Sequence, residues 1–295
     1  MSKRSRDRQL AKLAARRQAE RTAALRRRNL IVGILAGVVA LVVVVVGLSV
    51  LLGDDPETAA PTPTPASPSG SPSPLVEPGT KTGTVTPTAA TESGEVACGA
   101  DEPAKAGKPK PQFAGPPPMD VDRKATYTAT MQTSCGAIVI ELDPKRAPQT
   151  VNSFVFLAEK GYFDGQYFHR LDTSIDVIQG GDPSGDGTGG PGYAIPDELT
   201  GDESYTPGTL AMANAGANSG GSQFFLITGP AGTNLDGNPA FTIFGKVIEG
   251  LDVAQRIQKL PIVDPDSGDI SGQRPAEAVF IESVTIEKSG GGGGS

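Results

Sequence analysis

The chain has 295 residues, a formal net charge of −7, two cysteines, one histidine and no tryptophan. The charge is unevenly divided: residues 1–29 carry eleven basic and two acidic side chains, residues 30–52 carry none, and the remainder carries 15 basic and 31 acidic side chains. An acidic distal part argues against nucleic acid as its ligand. One histidine and two separated cysteines are too few for a zinc site, so no metal is expected.

Residues 30–52 form an uninterrupted apolar segment that follows the basic tail. A run of about 20 apolar residues crosses the hydrocarbon core of a bilayer as a helix. Arginines precede this segment and aspartates follow it, so the positive-inside rule places residues 1–29 in the cytoplasm and the rest outside. We therefore predict a single-pass signal-anchor in the cell membrane. The alternative is a cleaved signal peptide, which has a shorter apolar region and a small-residue cleavage site.

Residues 53–121 are rich in Pro, Thr, Ser, Ala and Gly. This composition favours extended polyproline II and cannot bury a core, so we predict a disordered linker that holds the following domain away from the membrane. Residues 122–288 are numerous enough for one folded domain. Residues 289–295 are glycine-rich and are predicted to form a flexible tail.

The two cysteines lie at the end of the linker and near the start of the domain. Disulfides persist outside the cytoplasm, so an even cysteine count favours a Cys98–Cys135 bond. Such a bond would join the linker to the folded domain. The alternative is two unrelated thiols.

The domain pattern predicts many short strands and two helices. Alternating segments on either side of a turn at 134–136 predict a hairpin. The predicted strands cover residues 127–131, 137–142, 224–228, 241–247 and 279–286. Pro148 begins a predicted helix that ends before Gly161, and residues 252–260 predict a second, shorter helix. Short strands with long Gly-rich loops indicate a closed barrel with helical caps.

The polar residues of the domain indicate binding and orientation rather than bond cleavage. Arg170, in a predicted strand, offers a permanent charge and rigid donors, although pairing with an acid such as Asp182 is the alternative. His169 has no nucleophile motif beside it and points away from the Arg170 face if the strand alternates, so we interpret it as structural. The loop 182–187 begins like a calcium loop, but Tyr193 stands where the bidentate glutamate belongs.

Small residues at 212–218 precede an apolar segment at 224–227. A shelf of small side chains beside an aromatic floor predicts a shallow pocket for a compact apolar ring. An ordinary loop before a buried strand is the alternative interpretation of the same residues.

Seven short motifs, taken together and in this order, resemble those of the cyclophilins, which are peptidyl-prolyl cis-trans isomerases. They are Phe-His-Arg at 168–170, Gln-Gly-Gly-Asp at 179–182, Gly-Thr-Gly-Gly at 187–190, Met-Ala-Asn-Ala-Gly at 212–216, Gly-Ser-Gln-Phe-Phe at 221–225, Leu-Asp-Gly at 235–237 and Phe-Gly-Lys-Val at 244–247. The resemblance covers about residues 127–288. It implies an eight-stranded antiparallel barrel capped by two helices, with a substrate groove on its outer face and no cofactor.

The resemblance also implies roles for individual residues. The catalytic arginine of the family falls on Arg170. The substrate-binding positions fall on Gln179, Met212, Ala213, Asn214, Gln223, Phe225, Leu235 and Phe241. In this mechanism the arginine donates toward the prolyl nitrogen while an apolar pocket holds the proline ring, so that no acid, base or metal is required.

Three departures from the family pattern bear on the pocket. Asn234 stands where many cyclophilins have tryptophan, which implies weakened cyclosporin binding. The loop that follows Asn234 is longer by two residues. One additional residue after Arg170 leaves open whether Ile175, Asp176 or Val177 lines the pocket; because a buried carboxylate would disfavour an apolar pocket, Ile175 or Val177 is expected.

The predicted function is peptidyl-prolyl isomerisation of X-Pro bonds in extracytoplasmic proteins, which assists folding because this isomerisation is slow. Two alternatives belong to other classes: a non-catalytic module that binds Pro-containing peptides, and an envelope scaffold that acts through the linker. The predicted partners are Pro-containing peptides or unfolded secreted proteins, and the membrane through one helix.

Overall fold

The computed structural model describes residues 79–88, 90, 94–264 and 272–290. All of them belong to one compact unit. The basic tail, the predicted membrane helix at 30–52 and the first part of the predicted linker lie outside the described residues. Within the described ranges, no helix combines the length and the apolar character that crossing a membrane requires.

The described part of the chain is mainly β. A small antiparallel sheet comprises β1 (Lys81–Val85) and β2 (Lys110–Phe113). A large curled sheet comprises β3 (Thr126–Thr133), β4 (Gly136–Leu142), β5 (Gln166–Tyr167), β6 (Arg170–Asp172), β7 (Val177–Gly180), β8 (Thr209–Met212), β9 (Phe224–Ile227), β10 (Ile243–Glu249) and β11 (Phe280–Ser289). Its strand order is β5-β11-β3-β4-β10-β8-β9-β7-β6, and every neighbouring pair is antiparallel.

The large sheet differs from the predicted closed eight-stranded barrel. Its outer strands, β5 and β6, are consecutive in the chain and separated only by Phe168 and His169. The Phe168 N–H donates to the Val279 carbonyl, whereas the His169 N–H donates to the Gln179 carbonyl. The segment therefore changes its partner from β11 to β7 at this point. Residues 166–172 therefore form two short strands, β5 and β6, instead of one continuous strand, and the architecture is a curled sheet of nine strands.

Two helices pack against the sheet, as predicted. Helix α1 (Pro148–Glu159) begins at the predicted proline and lies against β11, while α2 (Leu251–Gln258) lies against β4 and β7. Glu198, from a distant loop, accepts hydrogen bonds from the first free N–H groups of α1, those of Gln149 and Thr150, at 3.0 and 2.8 Å. A carboxylate at this position also stabilises the positive end of the helix dipole.

Side-chain alternation on β9 separates two apolar clusters. Phe224 and Leu226 are fully buried in the main core, where the Phe224 ring lies 5.8 Å from that of Phe154. Phe225 and Ile227 point to the other face and form a smaller cluster. Successive side chains of a strand point to opposite faces, so a single strand supplies both the core and the outer cluster.

The structure differs from the disordered linker predicted for residues 53–121, because β1 and β2 both lie within it. Residues 94–121 are named here the N-terminal strap. The strap contains β2 and is fixed to the domain by the Cys98–Cys135 disulfide, whose Cα atoms are 5.2 Å apart. Phe113 and Val121 are buried in the main core. These few apolar residues pack the strap onto the domain, although the overall Pro-rich composition had indicated disorder.

Candidate active site on the outer face of the sheet

A cavity of about 760 Å³ lies on the outer face of β6, β7 and β9. Its apolar end is lined by Ile175, Val177, Phe225, Leu235 and Phe241. The rings of Phe225 and Phe241 meet edge to face, with centroids 5.2 Å apart. All five residues lie in or beside the outer cluster because strand alternation or a neighbouring loop places them there, and together they form a notch for a compact apolar ring.

The additional residue after Arg170 is accommodated by a turn at Asp176, whose φ is +50°. Aspartate tolerates this left-handed conformation better than most residues. The Asp176 carboxylate accepts a hydrogen bond from the Ala231 N–H at 2.8 Å, and its carbonyl accepts one from the Thr228 N–H at 2.8 Å. The carboxylate thus contacts the loop after β9, and the expected residues, Ile175 and Val177, line the cavity.

Arg170 lies at the polar end of the cavity, and its guanidinium has three partners. Nε donates to Gln273 Oε1 at 2.6 Å, Nη1 to Gln179 Oε1 at 3.2 Å, and Nη2 to Asp172 Oδ2 at 2.5 Å. The acid that pairs with Arg170 is therefore Asp172 and not the Asp182 considered from sequence. The Arg170 side chain is 28 % exposed and that of Asp172 only 6 %, so the guanidinium is fixed from behind and open toward the cavity.

Two glutamine amides continue this network from Arg170 along the cavity. Gln223 Nε2 donates to the carbonyls of Gly187 and Gly189 at 3.0 and 2.8 Å. Its Oε1 accepts from Gln179 Nε2 at 3.0 Å, which leaves Gln179 Oε1 to accept from Arg170. Each amide has a donor end and an acceptor end, so the two glycine carbonyls determine the orientation of both glutamines.

The shelf of small residues is displaced by one position from the prediction. Ala213, Asn214 and Ala215 line the cavity, but Met212 does not. Met212 is 3 % exposed and belongs to the main core, because it follows Leu210 on the inner face of β8 while Ala211 faces outward. Met212 therefore packs in the core and does not have the predicted place in substrate binding, and Ala215 is the third residue of the shelf.

The rim of the notch is held by a tyrosine that the motifs did not indicate. The Phe241 N–H donates to the Tyr205 hydroxyl at 3.1 Å, and that hydroxyl donates to the Phe241 carbonyl at 2.8 Å. Burial raises the pKa of Tyr205, which keeps the hydroxyl protonated and able to donate. Asn214 fixes the neighbouring segment by donating to the Ala240 carbonyl at 2.7 Å.

His169 is buried and takes no part in the cavity. Its side chain is 2 % exposed, and neither ring nitrogen has a hydrogen-bond partner among the described residues. Burial lowers the pKa of His169 to about 4, against the opposing effect of Asp182. A neutral, buried imidazole fits the structural interpretation.

The sequence did not reveal two partners of Arg170. Asp172 lies two positions further along the same strand, a spacing that places both side chains on one face, so the period of a strand was the available signal. Gln273 lies 103 residues away in a loop before β11, and no local pattern marks it. Across the described ranges, no group of three His, Cys, Asp or Glu side chains is placed to hold a metal ion.

A family model described as "Cyclophilin type peptidyl-prolyl cis-trans isomerase/CLD" matches residues 128–286. The "Probable peptidyl-prolyl cis-trans isomerase B" of Mycobacterium leprae is 41% identical over 199 residues, which cover 62% of this chain and 64% of that protein. The "Peptidyl-prolyl cis-trans isomerase ppi1" of Schizosaccharomyces pombe is 44% identical over 155 residues, which cover 51% of this chain and 93% of that protein. The chain belongs to the cyclophilin-type peptidyl-prolyl cis-trans isomerase family, and its folded domain is an isomerase domain of that type.

A solved structure is also similar. The crystal structure of a Cryptosporidium parvum cyclophilin type isomerase in the presence of the dipeptide Ala-Pro is 29% identical, with a TM-score of 0.48. The match covers 54% of this chain and 98% of that one.

Proposed function

We propose that this protein accelerates cis–trans isomerisation of X-Pro bonds in extracytoplasmic proteins, with Arg170 as the catalytic residue. The observation that carries the proposal is a guanidinium held by three side chains at the edge of an apolar notch. Three of its five N–H donors have partners among the described residues, so two remain for a substrate.

The chemistry follows from the electronic structure of the amide. Resonance gives the C–N bond partial double-bond character and sets a barrier of about 18–20 kcal/mol to rotation. As the bond twists, the nitrogen regains its lone pair and becomes a hydrogen-bond acceptor. A donor from Arg170 at that nitrogen stabilises the twisted state more than either planar state, which is the condition for faster isomerisation.

The apolar notch contributes by holding one side of the rotating bond. Phe225, Phe241 and Leu235 contact the proline ring, while the shelf and Gln179 contact neighbouring backbone groups. With the ring fixed, the preceding carbonyl rotates relative to it. The side chains of Asp172 and Gln273 keep the guanidinium in place, so that little reorganisation is needed at the moment of twisting.

The proposed location is the outer side of the cell membrane, with residues 30–52 as an uncleaved anchor. The uncharged apolar segment and the basic residues before it support this location. The Cys98–Cys135 disulfide supports it further, because disulfides are rare in reducing compartments. Substrates there would be secreted chains that are still folding. Protease treatment of intact cells, which should degrade residues 122–288 and spare residues 1–29, tests the topology.

Exchange NMR on a proline-containing peptide tests the activity and separates it from simple binding. The full chain should accelerate cis–trans exchange, and Arg170→Ala should lose about 100-fold or more of that acceleration while it still binds the peptide, by analogy with the loss of an oxyanion-hole donor. Binding without acceleration by the unmodified chain would instead support the non-catalytic binding module. Near-full acceleration by Arg170→Ala would contradict the assigned role.

A further inference from the structure

The N-terminal strap lies outside residues 128–286, which the family model matches, yet it is firmly attached to the domain. One attachment is covalent, through Cys98 and the turn between β3 and β4. A second is a backbone connection, in which the Ala97 N–H donates to the Ala278 carbonyl at 2.9 Å. These two attachments fix the beginning of the strap.

A third attachment fixes the strap near β2. Lys110 is 5 % exposed, and its ammonium donates to the Asp164 carbonyl. Lys105 pairs with the carboxylate of the same aspartate at 2.6 Å. Phe113, at the end of β2, packs edge to face on Phe156 with ring centroids 5.1 Å apart. The backbone of β2 is therefore held in a defined position on the domain.

From this position β2 contacts one wall of the substrate cavity directly. Gln112 Nε2 donates to the Gly190 carbonyl at 2.7 Å, and the Phe113 N–H donates to the Pro191 carbonyl at 2.8 Å. Both Gly190 and Pro191 line the cavity. At Gly192, where φ is +93°, a Cβ would lie only 2.6 Å from the Phe113 carbonyl, so only glycine permits this close approach.

The same wall is held from the cavity side by the network that includes Arg170. Gln223 donates to the carbonyls of Gly187 and Gly189, and Gln112 donates to the carbonyl of Gly190 from the opposite side of the wall. A glycine-rich segment has unusual backbone freedom, so hydrogen bonds from both sides determine where its carbonyls point. This wall lies beyond the apolar notch, and a cavity of about 760 Å³ holds more than a proline ring.

We propose that the N-terminal strap is a specificity element and that Gln112 is its positioning residue. Gln112 holds the wall at 187–191 in the shape that receives the residues flanking the proline of an extended peptide. The inference rests on the proposed function, because it assigns the remainder of the same cavity to the rest of the substrate. It predicts that the strap affects affinity for long peptides and leaves recognition of the proline itself unchanged.

The test compares two peptides on the full chain. One is acetyl-Ala-Pro-amide, and the other has three residues on each side of the proline. Gln112→Ala should weaken binding of the longer peptide about 2- to 10-fold, the range expected from one lost hydrogen bond, and leave the short peptide within about 2-fold. Gln132→Ala, which removes an exposed glutamine of β3, is the matched control and should change neither affinity.

In a second variant, Gly192→Ala, the added Cβ collides with the Phe113 carbonyl and pushes the strap away from the wall. This variant should weaken binding of the longer peptide at least as much as Gln112→Ala does. Unchanged affinity of Gln112→Ala for the longer peptide would overturn the inference, as would an equal loss for both peptides. The affinities are measured separately from exchange rates. If the unmodified chain binds both peptides without accelerating exchange, the proposed catalysis fails while the comparison of affinities still decides the role of Gln112.

Discussion

The inner and outer faces of strands β6 to β9 are built from the same short segments but differ in what holds them together. On the inner face, Leu171, Ile178, Phe224 and Leu226 are fully buried and join one continuous core. On the outer face, a small apolar cluster adjoins a row of hydrogen-bonded polar side chains that begins at Arg170. Stability therefore depends mainly on the inner face and substrate recognition on the outer face, so adjacent residues should respond differently to the same substitution.

The adjacent pair Phe224 and Phe225 gives the largest expected contrast. Phe224→Ala removes a ring packed among other aromatic rings and should cost about 3–5 kcal/mol of unfolding free energy. Phe225→Ala should cost less, since its ring faces the cavity, and should instead abolish detectable binding of acetyl-Ala-Pro-amide. Denaturant unfolding and peptide titration measure the two effects. Equal losses of stability in the two variants, with unchanged peptide affinity in Phe225→Ala, would contradict the assignment of different roles to the two faces.

The buried histidine next to Arg170 should make stability depend on pH. The pKa of His169 is about 4 in the folded state and 6.5 as the ordinary value, so the unfolded state binds more protons between these pH values. The free energy of unfolding that depends on a neutral His169 is therefore fully present above pH 6.5. It is lost as pH falls toward 4, by up to about 3 kcal/mol. His169→Phe should show a flatter dependence in this window. If the unfolding free energies of both proteins depend on pH in the same way between pH 7 and 4, His169 is not a buried neutral histidine.

Asp172 is expected to act on the outer face only, by positioning Arg170. Asp172→Ala removes a charged hydrogen-bond partner and should lower kcat/KM about 10-fold or more, mainly through kcat. Asp172→Asn keeps an acceptor and should recover part of the loss. Steady-state kinetics on one peptide provides the measurement. Asp172 Oδ1 also accepts hydrogen bonds from the N–H and the hydroxyl of Ser174, at 2.9 and 2.6 Å. A loss confined to KM, or no recovery with asparagine, would indicate that Asp172 only maintains this turn.

Gln273 should give the smallest effect, because it is one neutral partner of a guanidinium that keeps two others. Gln273→Ala should lower kcat/KM about 2- to 10-fold and leave the unfolding free energy within about 1 kcal/mol. Gln132→Ala again serves as the control. An effect larger than that of Asp172→Ala would reverse the ranking of the partners of Arg170.

The sequence predicted those parts of the fold that depend on local pattern. The β3–β4 hairpin and α1 followed from alternation and from Pro148, with ends that differ by two residues or fewer. The strap was missed because Phe113 and Val121 are isolated apolar residues in a Pro-rich segment. The predicted number of strands, eight, was wrong because the chain changes its pairing strand after Phe168, and no feature of the composition indicates that change.

The same distinction applies to the candidate site. Most of its residues were named from motifs, including Arg170, Gln223 and Phe225, and the structure places them around one cavity. Met212 was misplaced by one position because a motif marks a segment, whereas the direction of each side chain depends on the register of β8. Gln273 and Gln112 were missed because they reach the site from distant parts of the chain.

The family, the local elements and the chemical types of side chain available at the groove could be predicted from the sequence, because they depend on residue identity and short-range spacing. The acid that pairs with Arg170, the orientation of each glutamine amide and the contact between the strap and the cavity wall became known from the folded arrangement alone. Hydrogen-bond geometry is fixed by the relative positions of segments that are far apart in the chain, and no local pattern encodes those positions.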